Sequence, residues 1–256
     1  MIVVMDGPPE IRVADDPGAL AEMAAREVLE VARAAVAARG RFAVALSGGS
    51  TPSATYRRLA EPPFATQMPW ERTLVFFGDE RGVPPDHPDS NYRMAHTALL
   101  SRVPIAPERV FRIAGEAPDS DAVAADYART LADALGVRRG EIPRLDLVLL
   151  GLGIDGHTAS LFPGSPVLKE TFRTVAAVHA AAASIPERIT LTYPTLNAAA
   201  CVIYLVSGAE KAKIVKVALS DRASGVPAAM VRPTAGRLLW IVDRPAAASL
   251  SAGKRS

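Results

Sequence analysis

The sequence has little cysteine, no excess of charge of either sign and no long apolar run. Its single cysteine, Cys201, excludes an internal disulfide and favours a reducing compartment. Cys201 lies in the apolar stretch AAACVIYLV, where a small buried side chain is its expected role. The 29 Lys and Arg residues nearly balance the 27 Asp and Glu residues. Net charge therefore gives no reason to expect nucleic acid or an anionic membrane as a partner.

Signals for export and for membrane insertion are also missing. The first residues, MIVVMDGPPEIRV, lack a basic start and a continuous apolar region, and Asp6 interrupts the short run that exists. No apolar run approaches the roughly twenty residues that a membrane-spanning helix needs. We therefore expect a soluble cytoplasmic protein with no membrane partner, and we expect it to act as a monomer.

Helical segments alternate with short apolar runs along the chain. Residues 17–39 follow the cap candidate Asp16, begin with Pro17 and stop at Gly40, a pattern that predicts a helix. Apolar runs predict strands near 41–46, 72–77, 109–113, 145–150, 173–180, 188–193, 201–206 and 237–243. This alternation predicts an α/β fold: a doubly wound, mostly parallel, Rossmann-like sheet with helices on both faces.

A single domain accounts for the whole length of the chain. At 256 residues with 49% hydrophobic composition, the chain can build one ordinary core. No repeat or linker divides it, so we expect one domain over residues 1–256. The last residues, from about 245 to 256, are small and polar, and we expect them to form a flexible tail.

Four glycine-bearing loops follow predicted strands. In open α/β sheets, ligands bind beyond the carboxyl ends of the strands, where such loops begin. The loops are SGGSTP (47–52), GDERGVP (78–84), GLGIDGH (151–157) and SGAEK (207–211). Each is polar where an ordinary connection needs only a few undistinguished residues, so we expect the functional side chains among them.

The first of these loops, SGGST, comprises Ser47, Gly48, Gly49, Ser50 and Thr51 and leads into a predicted helix. Its glycines would allow backbone N–H groups to converge, and the helix N-terminus would add partial positive charge, so the loop suits a phosphate. A tight turn with a capping hydroxyl would show the same pattern. The spacing does not match a P-loop.

Three basic residues lie in or beside the other loops. Arg81 could hold a phosphate or carboxylate with two parallel donors, or it could pair with its own acidic neighbours. Lys211 opens a predicted helix, where a cation is unfavourable unless it is solvated or meets an anion. Arg188, at the start of RITLTYP, has the same two interpretations.

The loop after the strand at 145–150 contains G-x-G-x-x-G at 151–156, followed by His157. A dinucleotide site needs a helix that begins within the motif, but the chain reaches Pro163 after a few residues. The glycines more readily serve a sharp turn that presents Asp155 and His157 at the end of the strand. Histidine suits proton transfer near neutral pH, although a hydrogen-bonded structural histidine is the alternative.

Two other chemistries lack support. No serine lies in the G-x-S-x-G pattern of a nucleophile elbow. A metal site could be imagined from Asp79, Glu80, Asp155 and His157, but no close His or Cys spacing indicates one, so we expect no metal.

Four long segments resemble, in order, the signature blocks of the 6-phosphogluconolactonase family. They are ALSGGSTP, FFGDERGVPPDHPDSNYRMA, LDLVLLGLGIDGHTASLFPGSP and RITLTYPTLNAAACVIYLVSGAEK, and the likeness extends from about Phe42 to Trp240. The resemblance implies a fold of the sugar-phosphate isomerase/deaminase type. It also implies hydrolysis of 6-phospho-D-glucono-1,5-lactone to 6-phosphogluconate, in the oxidative pentose phosphate pathway, without a metal or organic cofactor.

The resemblance assigns roles residue by residue. It implies that His157 is the general base that activates water and that Asp155 is its companion acid. It implies that the cations Arg81, Arg188 and Lys211 lie on the phosphate side of the substrate. It further implies substrate contacts from Ser47, Gly48, Gly49, Ser50, Thr51 and Asn91, which matches a motif position in DSNY.

The related glucosamine-6-phosphate deaminases share the strand and loop scheme and a D-G-H motif. In that group the motif precedes IAFNEPG, which includes a working glutamate, whereas Leu161 and Phe162 stand here. Tyr follows the D-E pair there, and Arg81 follows it here, so Asp79 is left without an assigned role. A non-catalytic sugar-phosphate sensor is a third possibility, but it would ordinarily carry a DNA-binding segment, which we do not see before the first helix.

Overall fold

The computed structural model describes residues 9–138, 140–181, 183–220 and 224–250. The strands are β1 (Glu10–Ala14), β2 (Phe42–Leu46), β3 (Thr73–Phe77), β4 (Asp79–Arg81), β5 (Leu147–Leu150), β6 (Val175–His179), β7 (Glu187–Leu191), β8 (Cys201–Val206) and β9 (Arg237–Asp243). The α-helices are α1 (Pro17–Arg39), α2 (Ser50–Leu59), α3 (Phe64–Gln67), α4 (Asn91–Ala98), α5 (Ser120–Leu135), α6 (Tyr193–Ala198), α7 (Ala212–Ser220) and α8 (Arg244–Ala247).

Six strands form a parallel sheet in the order β1-β9-β8-β5-β2-β3. Every residue of β2, β5 and β8 is buried, as continuous apolar strands in a parallel sheet require. Helix α1 packs across several of these strands. The structure confirms the predicted α/β class with a mostly parallel central sheet.

Strand β2 lies at the point where the order of the sheet reverses. The chain continues from β2 to its neighbour β3, whereas β5, on the other side of β2, is followed outward by β8 and β9. The loops after β2 and β5 therefore leave adjacent strands in opposite directions, which opens a crevice between them. Ligands of doubly wound folds bind at such a position.

A second sheet, antiparallel and three-stranded, has the order β4-β7-β6. The strands predicted at 173–180 and 188–193 overlap β6 and β7, but no sequence pattern indicated that they form a separate sheet, and residues 79–81 were expected to be loop. Because β4 consists of polar residues only, it carries no apolar signal. The strand predicted at 109–113 is wrong: within it, Val110 forms only an isolated bridge to Val75. Strand β1 was not predicted because its partly exposed edge position does not require an apolar run.

Local signals placed the helix ends well. The side chain of Asp16 accepts a hydrogen bond from the backbone N–H of Ala19 at 2.8 Å, and α1 ends at Gly40 in the left-handed conformation. Helix α2 begins at Ser50, directly after the glycines of the first loop. Its N-terminus therefore lies beside the crevice.

The end of the described chain is packed rather than free. Residues 244–247 form α8, in which Ala246 and Ala247 are buried and Asp243 accepts a hydrogen bond from the Ala246 N–H at 2.9 Å. The flexible tail expected from about 245 therefore does not begin there, because a side-chain cap and burial hold these residues. Residues 251–256 lie outside the described residues.

Buried side chains of both sheets belong to one hydrophobic cluster. Tyr204 and Trp240 stack within it at a ring-centroid distance of 4.0 Å. No helix in the described ranges has the length and apolar character needed to cross a membrane.

Candidate active site

A cavity of about 220 Å³ opens at the carboxyl ends of β2 and β5. It is lined by the loops after these strands, by β4 and β7, and by the turn before α7. Its walls include six of the residues predicted from sequence: Ser47, Gly48, Arg81, His157, Arg188 and Lys211. A larger cavity of about 650 Å³ beside α5 contains none of the predicted residues.

The other predicted residues lie behind or beside the walls. Gly49, Ser50 and Thr51 form the start of α2. Asn91 is 1% exposed, and its Nδ2 donates to the backbone carbonyl of Asp79 at 2.9 Å and to Oδ1 of Asp79 at 3.1 Å. Asn91 therefore supports Asp79, which itself lines the cavity.

His157 and Asp155 form a hydrogen-bonded pair. The Nδ1 atom of His157 lies 2.6 Å from Oδ1 of Asp155, and the backbone N–H of His157 donates to the same oxygen at 3.2 Å. Partial burial acts to raise the pKa of Asp155, but these hydrogen bonds and the charge of His157 lower the pKa below its ordinary value. An ionised carboxylate only accepts, so the neutral tautomer of His157 that fits this contact has its proton on Nδ1.

Gly153 makes this placement of the imidazole possible. Its N–H donates to the carbonyl of His157 at 2.8 Å, and a Cβ atom at Gly153 would lie 2.1 Å from Nδ1 of His157. On another side, the ring of Phe162 packs against the imidazole at a centroid distance of 4.5 Å. The glycine motif therefore seats a histidine against the backbone, and it does not begin a dinucleotide-binding helix.

Arg81 and Arg188 lie directly opposite each other in the antiparallel pair β4–β7. Burial lowers the pKa of Arg188, and the charge of Arg81 lowers it further, while Asp79 and Glu80 act in the opposite direction. The Nε of Arg81 is buried without a hydrogen-bond partner among the described residues. Like charges on facing cross-strand residues are unfavourable unless an anion lies between them.

Lys211 adds a third cation at the cavity. It ends the turn Ala209–Lys211 that follows β8. Within the described part of the chain it forms no ion pair, so its ammonium group is available to a ligand. The three cations thus come from β4, from β7 and from the turn after β8, and all three line the same cavity.

Glu80, which sequence reasoning left without a role, anchors this region. Its two oxygens accept hydrogen bonds from the backbone N–H groups of Arg81, Asn91 and Tyr92, each at 2.8 Å, and from the Ser90 hydroxyl at 3.1 Å. Burial raises the pKa of Glu80 although these bonds act to lower it. The carboxylate thus ties the N-terminus of α4 to the strand that carries Arg81.

Tyr56 and Asn91 fix the loop after β2. The Tyr56 hydroxyl accepts from the Ser47 N–H and donates to the Ser47 carbonyl, both at 2.8 Å. A Cβ atom at Gly48 would lie 1.9 Å from Oδ1 of Asn91, so only glycine fits there. The aromatic residue in STPSATY is the one sequence signal that could have indicated Tyr56.

Acidic and histidine side chains do not gather into a cluster suited to a metal. Across the described ranges, no group of three or more His, Cys, Asp and Glu residues could hold an ion. Among the described residues that line the cavity, Asp79 is the one carboxylate, and its oxygens accept hydrogen bonds from Asn91 and Ser160.

Comparisons with known proteins point to one family. Residues 15–240 match the family model of glucosamine-6-phosphate isomerases/6-phosphogluconolactonase. The 6-phosphogluconolactonase of Rattus norvegicus is 45% identical over 214 residues, which cover 83% of this chain and 82% of that protein. A protein of Oryza sativa subsp. indica named probable 6-phosphogluconolactonase 3, chloroplastic is 42% identical over 241 residues, 91% of this chain and 73% of that protein.

A solved structure is similar over nearly the full length. The 6-phosphogluconolactonase from Trypanosoma cruzi has a TM-score of 0.86 and 34% identity, and the match covers 98% of this chain and 100% of that chain. Both the sequence relatives and this structure align across the loops that form the cavity. The chain belongs to the family of glucosamine-6-phosphate isomerases and 6-phosphogluconolactonases.

Proposed function

We propose that this protein hydrolyses 6-phospho-D-glucono-1,5-lactone to 6-phosphogluconate. The observation that carries the proposal is a single cavity shared by a carboxylate-paired histidine and three cations, Arg81, Arg188 and Lys211. A phosphorylated lactone needs both features: a base for water at one end and cations for the phosphate at the other. The relatives named 6-phosphogluconolactonase support the same substrate.

In the proposed mechanism, His157 is the general base. Its Nε2 takes a proton from a water molecule as the water oxygen forms a bond to the lactone carbonyl carbon. The tetrahedral intermediate then collapses with cleavage of the bond between this carbon and the ring oxygen. The imidazolium returns its proton to the leaving ring oxygen, so the ring opens to the hydroxy acid. Asp155 keeps the imidazole in the productive tautomer and stabilises its positive charge.

The cations fix the substrate at its other end. A phosphate between Arg81 and Arg188 would relieve the repulsion of the two guanidinium groups, and Lys211 would add a third contact. Binding energy from the phosphate, which takes no part in the chemistry, holds the lactone carbonyl near the base.

Packing at His157 argues against the deaminase alternative. Leu161 is fully buried and Phe162 packs on the imidazole, where the deaminase motif has a glutamate. An apolar ring at this position supplies no second acid or base. We therefore expect no release of ammonia from glucosamine 6-phosphate, and turnover of the lactone distinguishes an enzyme from a non-catalytic sensor.

The test is a hydrolysis assay on freshly generated 6-phosphogluconolactone, corrected for its spontaneous opening. Ammonia release from glucosamine 6-phosphate is measured beside it. We expect enzyme-dependent opening of the lactone and no ammonia. A rate equal to the spontaneous one would overturn the proposal, and ammonia release would favour the deaminase.

We further propose that the protein acts as a monomer in the cytoplasm. The single cysteine is buried, which suits a reducing compartment. The rice relative is named chloroplastic, so the compartment needs its own test. Cell fractionation and light scattering of the purified protein would detect another compartment or an oligomer.

A further inference from the structure

Asp79 is a buried carboxylate on the wall of the cavity, and the proposed mechanism does not use it. Asp79 is 5% exposed. Oδ2 accepts a hydrogen bond from the Ser160 hydroxyl at 2.7 Å, and Oδ1 accepts one from Nδ2 of Asn91 at 3.1 Å. Asp79 forms no ion pair with any residue that the structure describes. A buried charge without a cation partner is costly unless donors satisfy it.

The hydrogen-bonding capacity of Asp79 is only partly filled. The two oxygens of a carboxylate offer about four acceptor positions. Ser160 and Asn91 occupy two of them. Asp79 lines the cavity, so a ligand bound there lies next to this residue. Hydroxyl groups are suitable donors, whereas a phosphate would be repelled by the like charge.

The pleat of β4 places Asp79 and Arg81 on the same face of the strand, and Glu80 on the other. Two residues along a strand span about 7 Å. In the same register, Asp79 faces Thr190 and Arg81 faces Arg188. One face of β4 therefore offers an acceptor at one end and a pair of cations at the other. This order fits a ligand with hydroxyl groups at one end and an anion at the other.

We propose that Asp79 is a specificity-determining residue that accepts hydrogen bonds from ring hydroxyls of the lactone and so selects a polyhydroxylated ring. This inference rests on the proposed lactonase function. Ser160 and Asn91 hold the carboxylate in place for this contact. If the ring hydroxyl is missing, Asp79 is left buried with unfilled acceptor positions, and the site discriminates against the analogue.

The competing interpretation is that Asp79 is only a structural acceptor that ties Ser160 to Asn91. In that case, removing its charge would lower turnover of every lactone by one common factor. Selection of hydroxyls predicts instead that the loss depends on the substrate. The two interpretations therefore predict different results when wild type and variant are each compared on several lactones.

The experiment measures kcat/KM of the full-length wild type and of Asp79→Asn. The substrates are 6-phosphogluconolactone and its 2-deoxy, 3-deoxy and 4-deoxy counterparts, each generated by oxidation of the corresponding sugar phosphate. Each rate is divided by the spontaneous hydrolysis rate of the same lactone, because the 2-hydroxyl changes the reactivity of the carbonyl. Unfolding curves and 6-phosphogluconate binding establish that the variant is folded.

We expect wild type to lose at least about tenfold in corrected kcat/KM on one or more of the deoxy lactones. On the parent lactone, the corrected kcat/KM of Asp79→Asn should be lower than that of wild type by a similar factor. Between the parent and that deoxy lactone, the corrected kcat/KM of the variant should differ by less than about threefold. As a contrast, Arg81→Ala should weaken all the phosphorylated substrates and retain the preference for the hydroxyl.

Equal losses of Asp79→Asn on all four lactones would overturn the proposal. If the variant does not fold, wild type alone decides: equal corrected rates on the parent and the three deoxy lactones would contradict any contact between Asp79 and a ring hydroxyl. Failure of the proposed function has a different signature, because wild type would then not accelerate opening of the parent lactone.

Discussion

Oδ1 of Asp155 lies 2.6 Å from Nδ1 of His157 and also accepts the backbone N–H of His157, so one oxygen fixes both the ring and its tautomer. We predict that Asp155→Asn lowers kcat about a hundredfold, because an amide can favour the tautomer with its proton on Nε2. His157→Ala should lose at least as much. Steady-state kinetics on the lactone measures both, and an unchanged kcat in either variant would remove the pair from the mechanism.

The lowered pKa of Asp155 sets a limit on its part in the pH profile. A depressed carboxyl pKa means that the folded protein keeps Asp155 ionised down to pH values below the ordinary range for Asp, about 4. We therefore predict that protonation of Asp155 does not lower kcat/KM anywhere above about pH 4. A profile of Asp155→Asn that loses an acidic limb present in wild type above that pH would contradict this.

Close packing at Gly153 predicts a loss of catalysis without a loss of folding. In Gly153→Ala, the new methyl group would overlap Nδ1 of His157 and displace the half-buried imidazole. We expect kcat to fall by about a hundredfold with little change in melting temperature. The matched control is Gly78→Ala, where a Cβ atom would come no closer than 3.5 Å to its nearest neighbour. Equal effects of the two substitutions would show that the contact at Gly153 has no special role.

The facing arginines predict opposite effects on the free and the bound protein. Arg81→Ala removes one of two like charges, so the unliganded protein should be no less stable than wild type. The rise in melting temperature caused by 6-phosphogluconate should shrink. The variant should also lose most of its preference for phosphorylated over plain gluconolactone, by about tenfold or more. An equal loss of kcat/KM on both lactones would rule out a phosphate contact.

Glu80 predicts a stability effect with a definite sign in pH. Burial raises its pKa in the folded state. Between the ordinary pKa of Glu and this raised value, the folded protein holds a proton that the unfolded chain has lost, so folding takes up a proton. Stability contributed by this group is therefore full below that ordinary pKa and falls as pH rises through the raised value. Glu80→Gln should lack this dependence of stability on pH. Chemical denaturation between pH 4 and pH 8, in steps of roughly one unit, measures it.

Removal of the Glu80 side chain should be more severe. Glu80→Ala leaves three backbone N–H groups and one hydroxyl without their acceptor. We expect a loss of about 3 kcal/mol or more in the free energy of unfolding. The control Glu116→Ala removes a surface carboxylate paired with Arg112 and should cost less than about 1 kcal/mol. Comparable losses in the two variants would contradict the anchoring role.

Features set by neighbouring residues could be predicted from the sequence. The cap at Asp16, the stop at Gly40 and the apolar strands β2, β5 and β8 follow from short patterns, and the parallel sheet follows from their alternation. The resemblance to a family then predicted that His157 and the cations share one site. These residues do meet at one cavity.

Features set by distant pairing could not be predicted. Strand β4 has no apolar residue, and it is a strand because β7 lies beside it. The opposition of Arg81 and Arg188 depends on that register, which no local pattern encodes. The family resemblance implied a substrate contact for Asn91, and in the structure its amide donates to the backbone and the carboxylate of Asp79, a contact that no local pattern encodes. A motif identifies a region of the site without distinguishing a wall residue from its support.

The alternation within β4 also bears on redesign. Positions 79 and 81 line the cavity, whereas the side chain of Glu80 between them accepts hydrogen bonds from the start of α4. A library that varies these two positions and keeps Glu80 should yield mostly well-folded proteins with new ligand preferences. Three consecutive residues would thus let selectivity evolve while the framework stays constant.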